Sequence, residues 1–295
     1  MPANSANRRC RDELSDGPPR FAGLVYSGLN LPIHIMVKNP GVRRNSKIAK
    51  QHVFRGDTPV GCFMNIGNSF MMSSPEFCFL QMATHLSLIE LIELGFELCG
   101  VYSLPLPGDK EVPKRGFYNR KQLTNTKKLL EFLESMPSIR GYSKAYRALL
   151  YIQDGSASPM ETKLAMFMVL PYMLGGFGFT KPELNKRINL TKNTRKFFQQ
   201  DYYVCDLFWP DKKVAVEYDS DQNHTGSERI ARDSKRRNAL ATMGIQVVSV
   251  TRQQLYNRAE LENAARTVAK HSKRRLFSKK NNFIAAHREL RIQLL

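Results

Sequence analysis

The sequence predicts an α/β fold, and three observations carry that prediction. Residues 201–251 read strand, turn, strand, helix, strand. A helix-start signal at Ser158-Pro159-Met160-Glu161 and a strand-like run over Lys186–Leu190 precede them. The resulting order from Pro159 is αβββαβ, in the C-terminal half of the chain. The first half mixes short strand-like runs with one strong helix signal, which predicts a separate α+β domain.

The elements follow in order. Residues 1–22 are polar and contain Arg, which predicts a disordered tail without the apolar centre of a signal peptide. An N-terminal α+β domain is expected over residues 23–103. In it, the run PIHIMVK within Leu31–Lys38 is strand-like, and Asn39-Pro40-Gly41 marks a turn. Val42–Lys50 carries Arg43, Arg44, Lys47 and Lys50 with no acid, which suits a solvated loop. Gln51–Gly56, Gly61–Ile66 and Ser69–Met72 read as further short strands. Ser74-Pro75-Glu76 places an N-cap and an N1 proline at a helix start. Phe79, Met82, Ala83, Leu86, Ile89 and Leu94 then give an apolar face, with Gly95 expected to end the helix.

Residues 104–157 read as a basic linker followed by two helices, near Thr124–Ser135 and Tyr142–Gln153. An α/β unit is expected over residues 158–275, and residues 276–295 form a basic C-terminal tail. In the α/β unit, Ser158 and Glu161 form a capping box. Leu164–Thr180 is uncharged but broken by Pro171 and several glycines, so it reads as a buried helix and loop rather than a membrane span. Tyr202–Phe208 is rich in aromatic and β-branched residues, and a turn at Trp209–Lys212 leads to an alternating strand, Lys213–Tyr218. A helix over Ser227–Met243 with Gly244 at its C-terminal cap precedes a last strand, Ile245–Val250. A further helix is expected over Arg258–Lys273.

The acids of this region stand in an unusual pattern. Glu217 and Asp219 are two apart on one strand and leave the same face. A four-residue turn pairs Phe208 with Lys213, which makes Asp206 a diagonal neighbour of Glu217 on that face. Like charges gathered in this way repel unless a cation or a proton lies between them. Oxygen ligands suit Mg²⁺ or Mn²⁺ rather than zinc. The alternative is an exposed sheet face with solvated acids. On the helix, Ile230, Leu240 and Ala241 set a stripe that also contains Asp233, Ser234 and Arg237. Those polar residues either face a polar site or form an Asp233–Arg237 surface pair.

Composition bounds the partner class. The chain has 295 residues and a formal net charge of +19, with a sequence pI near 9.9. That balance points to a polyanion: nucleic acid or an anionic membrane surface. The five cysteines are scattered without a C-x-x-C pair. This suits reduced thiols in a cytoplasm and argues against a disulfide scaffold or a zinc site.

Asp206, Pro210, Glu217, Tyr218, Asp219, His224, Asp233, Arg236 or Arg237, Leu240, Gly244 and Thr251 together resemble the pattern of the very short patch repair-like endonuclease domain. That domain belongs to the PD-(D/E)xK nuclease superfamily. Ser220 stands where that branch carries glycine, and Asp219 stands where the wider superfamily carries its lysine. The resemblance implies a restriction endonuclease-like αβββαβ core and a metal-dependent DNA endonuclease, in repair or in defence against phage and mobile elements. It implies Asp206, Glu217 and Asp219 as Mg²⁺ or Mn²⁺ ligands, with Glu161 facing the metal from the first core helix. It also implies His224 as general acid or base, Asp233 as a further site residue, and Arg237 (or Arg236) to neutralise the reacting phosphate. DNA is the implied partner. The first half more distantly resembles AbiEi-like antitoxins and regulators, which implies the other expectation: a non-catalytic DNA-binding regulator on a nuclease scaffold.

Overall fold

The computed structural model describes residues 32–43, 46–55, 58–66, 71–106, 109, 111–198, 200–219, 227–276 and 281–295. The tail expected over residues 1–22, and Ser220 and His224, lie outside them. The fold is mixed α/β, and the chain divides into two compact units, Met1–Met72 and Ser73–Leu295.

In the first unit, β1 (Ile33–Val37) and β2 (Ala49–Val53) pair in parallel, with Ile33 opposite Ala49 and Val37 opposite Val53. The connection between them turns at Pro40–Val42, where the Asn39 side chain accepts the Gly41 N–H at 2.8 Å. In this register His34 is level with Lys50 and His52 with Met36, so the two histidines meet diagonally, with Nε2 of His52 3.0 Å from Nδ1 of His34. Two short strands follow, β3 (Phe63–Asn65) and β4 (Met71–Ser73).

The second unit opens with α1 (Pro75–Met82), capped by Ser74, and α2 (Leu88–Leu98). The sequence predicts one helix here, and the structure breaks it. Ser87 supplies a second start: its Oγ accepts the Glu90 N–H at 3.2 Å, and Glu90 accepts the Ser87 N–H at 2.7 Å. This reciprocal box satisfies two amides that the break would otherwise strand. Gly95 does not end the helix; it lies inside α2, where a Cβ would meet Ile152 Cδ1 at 2.1 Å. The glycine permits close packing rather than a turn.

A small antiparallel pair, β5 (Tyr102–Ser103) and β6 (Tyr118–Asn119), and helices α3 (Thr126–Glu134) and α4 (Tyr142–Leu149) come next. Helix α5 (Pro159–Val169) buries seven residues from Thr162 to Val169. The following loop buries Phe177 and Phe179. Among the described residues no helix is long and apolar enough to cross a membrane.

Four strands form the main sheet: β7 (Glu183–Asn189), β8 (Tyr202–Trp209), β9 (Val214–Asp219) and β10 (Gln246–Thr251). A short helix, α6 (Lys192–Phe198), lies between β7 and β8. Helix α7 (Ser227–Thr242) makes the crossover from β9 to β10, and Gly244 terminates it with φ of 77°. The spatial order is β10-β9-β8-β7, parallel across β10–β9 and antiparallel across the other two pairs. Leu240 of α7 and Met243 just beyond it pack with Cys205, Phe208 and Ala215 of the sheet and with Ile245, which precedes β10. On β8 and β9, Leu207, Val214 and Val216 are also fully buried.

Thr251 ends β10 and caps α8 (Arg252–Tyr256), and Asn257 caps α9 (Arg258–His271). The basic segment 276–295 contains a docked helix, α10 (Asn281–Leu294), which buries Phe283, His287, Leu290 and Leu294. His287 lies among Phe167, Phe177 and Phe283, with ring centroids 5.1–5.6 Å away. Its Nδ1 is 2.6 Å from the Gly175 carbonyl, and burial holds its pKa below the usual imidazole range.

Candidate functional site

The hairpin joining β8 and β9 is tighter to the sheet than the sequence suggests. Trp209 belongs to the strand and pairs with Val214, so Phe208 faces Ala215 rather than Lys213. Lys213 takes the turn position, with φ of 52°. The correction moves the register by two residues. A shift of two keeps every side chain on its face, and it brings Asp206 level with Glu217 instead of diagonal to it.

One polar row then crosses the sheet. On one side Asn185 stands level with Asp206, between the paired rows Leu184–Leu207 and Lys186–Cys205. On the other, Ser249 pairs with Glu217. The β8–β9 backbone ladder ends at Leu207–Val216. Beyond it the Tyr218 N–H is taken by Oδ2 of Asp206 at 2.7 Å. The strands part at this row, and side chains fill the gap.

Arg236 of α7 enters the gap. Its guanidinium donates to Oε2 of Glu217 at 2.7 Å and to the Val204 carbonyl. The buried stripe of α7 runs through Ala239 and Leu240, whereas Ala241 is exposed. Four residues before Leu240 is Arg236, so Arg236 faces the sheet and Arg237 faces solvent. The structure therefore brings Arg236, not Arg237, to the carboxylates. Asp233 is half-buried on the same helix, about one turn earlier.

Glu161 reaches the row from the other side. It completes the α5 cap: Ser158 Oγ accepts the Glu161 N–H at 3.2 Å and donates to Oε1 at 2.8 Å. The second carboxylate oxygen accepts the Ala157 N–H at 3.1 Å and the Asn185 amide at 2.7 Å. The same Asn185 amide donates to the Gly155 carbonyl at 3.0 Å. Asn185 adopts a left-handed backbone, φ 46°, which Asn tolerates better than most residues. It is a site residue that sequence reasoning missed. A signal was present in Leu184-Asn185-Lys186, a strand interior interrupted by a turn-forming amide.

The electrostatics of the row are strained. Burial, then the charges of Glu217 and Glu161, push Asp206 up to about 8, against the pull of the Tyr218 N–H and Arg236. Burial also raises Glu217, and Arg236 opposes that rise. Glu217 is 8 % exposed. Its Oε1 is buried with no hydrogen bond of ordinary geometry, although the Cys205 thiol lies near enough to pull on the carboxylate. Burial holds the Cys205 thiol far above its usual range, so its proton stays on sulfur. Asp219 is half-buried two residues beyond Glu217, level with Thr251.

The arrangement thus joins Asp206 and Glu217, links Glu161 to them through Asn185 and charge, and holds Asp219 at the rim. Among the described residues no three of His, Cys, Asp and Glu stand as a ready metal-ligand set. What the row offers chemically is a pair of hard oxygen donors and a guanidinium at one buried seam. No family model, no curated protein and no solved structure matches the chain.

Proposed function

We propose that the chain is a metal-dependent DNA endonuclease with a restriction endonuclease-like core of the very short patch repair-like branch. The observation that carries this reading is the buried row in which Asp206 and Glu217 stand level, one driven to hold a proton and the other left with an unpartnered oxygen. A buried acid and a half-buried one this close are costly to a fold unless a positive charge is due there. The order helix, three strands, helix, strand from Pro159, with the short α6 inserted between the first two strands, supports it further, as does a net charge of +19 suited to a phosphate backbone.

The donor set fits a divalent cation: the orphaned Oε1 of Glu217 and the Asp206 carboxylate are hard oxygens. Asp206 and Glu217 would hold the ion, with Asp219 at the rim. When bound, Mg²⁺ or Mn²⁺ supplies charge neutralisation at the scissile phosphate and an acidified water. Arg236 keeps a fixed positive charge at the seam, where charge on a pentavalent phosphate would develop. Glu161 anchors the Asn185 amide and adds negative potential beside Asp206.

The Arg236–Glu217 ion pair favours the second reading, a DNA-binding regulator in which the seam is closed and purely structural. One experiment separates the two. Purified protein is incubated with plasmid, single-stranded and mismatched DNA in Mg²⁺, Mn²⁺ or EDTA, beside the Glu217→Gln variant. The nuclease reading expects cleavage that EDTA and Glu217→Gln both abolish, with metal-free DNA affinity equal or slightly tighter in the variant. Wild-type protein that binds DNA but cuts none of these substrates would establish the regulator.

A further inference from the structure

We infer that the groove between α10 and the α8–α9 corner is a second nucleic-acid contact, holding a phosphodiester segment of the strand that crosses the carboxylate row. This rests on the nuclease reading for the identity of the polyanion. The groove has a volume of about 590 Å³ and is lined by Tyr256, Arg258, Ile284, Arg288, Arg291, Ile292 and Leu295. Three guanidiniums therefore surround one open cavity. Among the described residues none of them has a carboxylate within salt-bridge distance. Of the nearby acids, Glu262 pairs with Arg266 at 2.5 Å, and Glu289 accepts from Gln293 at 2.9 Å.

Arg291 serves the fold. It donates to the Leu255 and Tyr256 carbonyls at 3.1 and 2.5 Å, closing the C-terminal end of α8. Arg258 and Arg288 are exposed and have no such duty. Uncompensated guanidiniums are the usual donors to phosphate oxygens. Tyr256, 43 % exposed, and Ile292, 67 % exposed, add an apolar wall of the kind a sugar or base can cover.

Position selects nucleic acid over an acidic peptide. Strands β9 and β10 are parallel and end together, Asp219 opposite Thr251. Thr251 caps α8, a helix of five residues, and Tyr256 ends it. At about 1.5 Å per residue the groove begins about 8 Å along the chain from the rim of the row. That is within two phosphate spacings of a single strand. A strand that crosses the row therefore has Arg258, two residues past Tyr256, as the first groove guanidinium along the chain from the rim.

The test is a DNA titration at several salt concentrations without divalent metal, using a fluorescent oligonucleotide. Wild type is compared with Arg258→Gln/Arg288→Gln, with Arg258→Lys/Arg288→Lys, and with Lys127→Gln/Lys128→Gln on α3 as a charge-matched control. Losing two phosphate contacts should make the plot of log affinity against log salt shallower by about 2 and weaken binding about tenfold at low salt. The lysine pair should restore the slope, and the α3 control should keep it. A glutamine pair with wild-type slope overturns the groove, even if the protein cuts DNA. If the substitutions weaken polyglutamate binding by the same factor as DNA, the groove takes acidic peptide and the proposal also falls. A wild type that binds DNA through the groove yet never cuts leaves the groove standing and removes the nuclease reading.

Discussion

Replacing Asp206 by Asn should stabilise the main sheet, and the gain should grow with pH. The folded chain holds the Asp206 proton up to about 8, whereas an unfolded aspartate releases it near about 3.9. Below about pH 4 the group is neutral in both states and the substitution changes little. Between about 4 and 8 the unfolded chain loses its proton first, so wild-type stability falls as pH rises. Above about 8 both states are ionised and the full cost is present. At about 1.4 kcal/mol per pH unit the window has a ceiling of about 6 kcal/mol. Asp206 is only half-buried, accepts the Tyr218 N–H and shares the seam with Arg236. A realised gain of about 1–3 kcal/mol is therefore expected. Asn keeps an acceptor for Tyr218 and removes the charge. The chain's one tryptophan makes the measurement local, because Trp209 ends the strand that carries Asp206. Urea unfolding followed by Trp209 fluorescence, in EDTA at about pH 4.5 and pH 8.5, gives the two differences. A variant no more stable than wild type at the higher pH, or equally stabilised at both, refutes the electrostatic account of the row.

Three further outcomes are expected. Arg236→Gln strands the Glu217 carboxylate and should cost about 3–5 kcal/mol in urea unfolding at neutral pH, less in acid where Glu217 takes a proton; Arg237→Gln should stay within about 0.5 kcal/mol. Gly95→Ala drives a methyl into Ile152 and should cost about 1–3 kcal/mol, with part recovered when Ile152→Val is added; thermal unfolding reads both. Asn185→Ala loses its bonds to Gly155 and Glu161 and places alanine in a left-handed backbone, at about 2 kcal/mol. Asn185→Gly should recover only the backbone share, seen as restored amide protection along β7 but not at Ala157.

Much of the second unit is legible from short-range chemistry. Ser74, Ser158 and Thr251 announce helix starts because a side-chain acceptor for exposed amides is a local need. The acids of β9 stand out because charge is rare on a buried strand. What depends on tertiary choice is harder to read. The break after Met82 lies in an apolar run whose periodicity continues through it, and only the Ser87–Glu90 box marks it. The choice between Arg236 and Arg237 stays open in the sequence because Ala239 and Ala241 are the same residue type, and only packing decides which is buried. The hairpin register slipped by two because Trp209 suits a strand and a turn equally well. That error left the face of Asp206 unchanged, since side chains alternate with period two.

Helix α10 sets an order of events. Phe167 and Phe177 are synthesised more than a hundred residues before the His287 that covers them, and the Gly175–His287 bond spans 112 positions. Closing so wide a loop costs entropy before any contact repays it. On the ribosome, the aromatic face beside α5 must wait through the translation of the whole sheet. During that interval the nascent chain carries an uncovered hydrophobic patch, a natural landing point for a chaperone. The residues of the acid seam are thus all synthesised before the helix that covers the aromatic face.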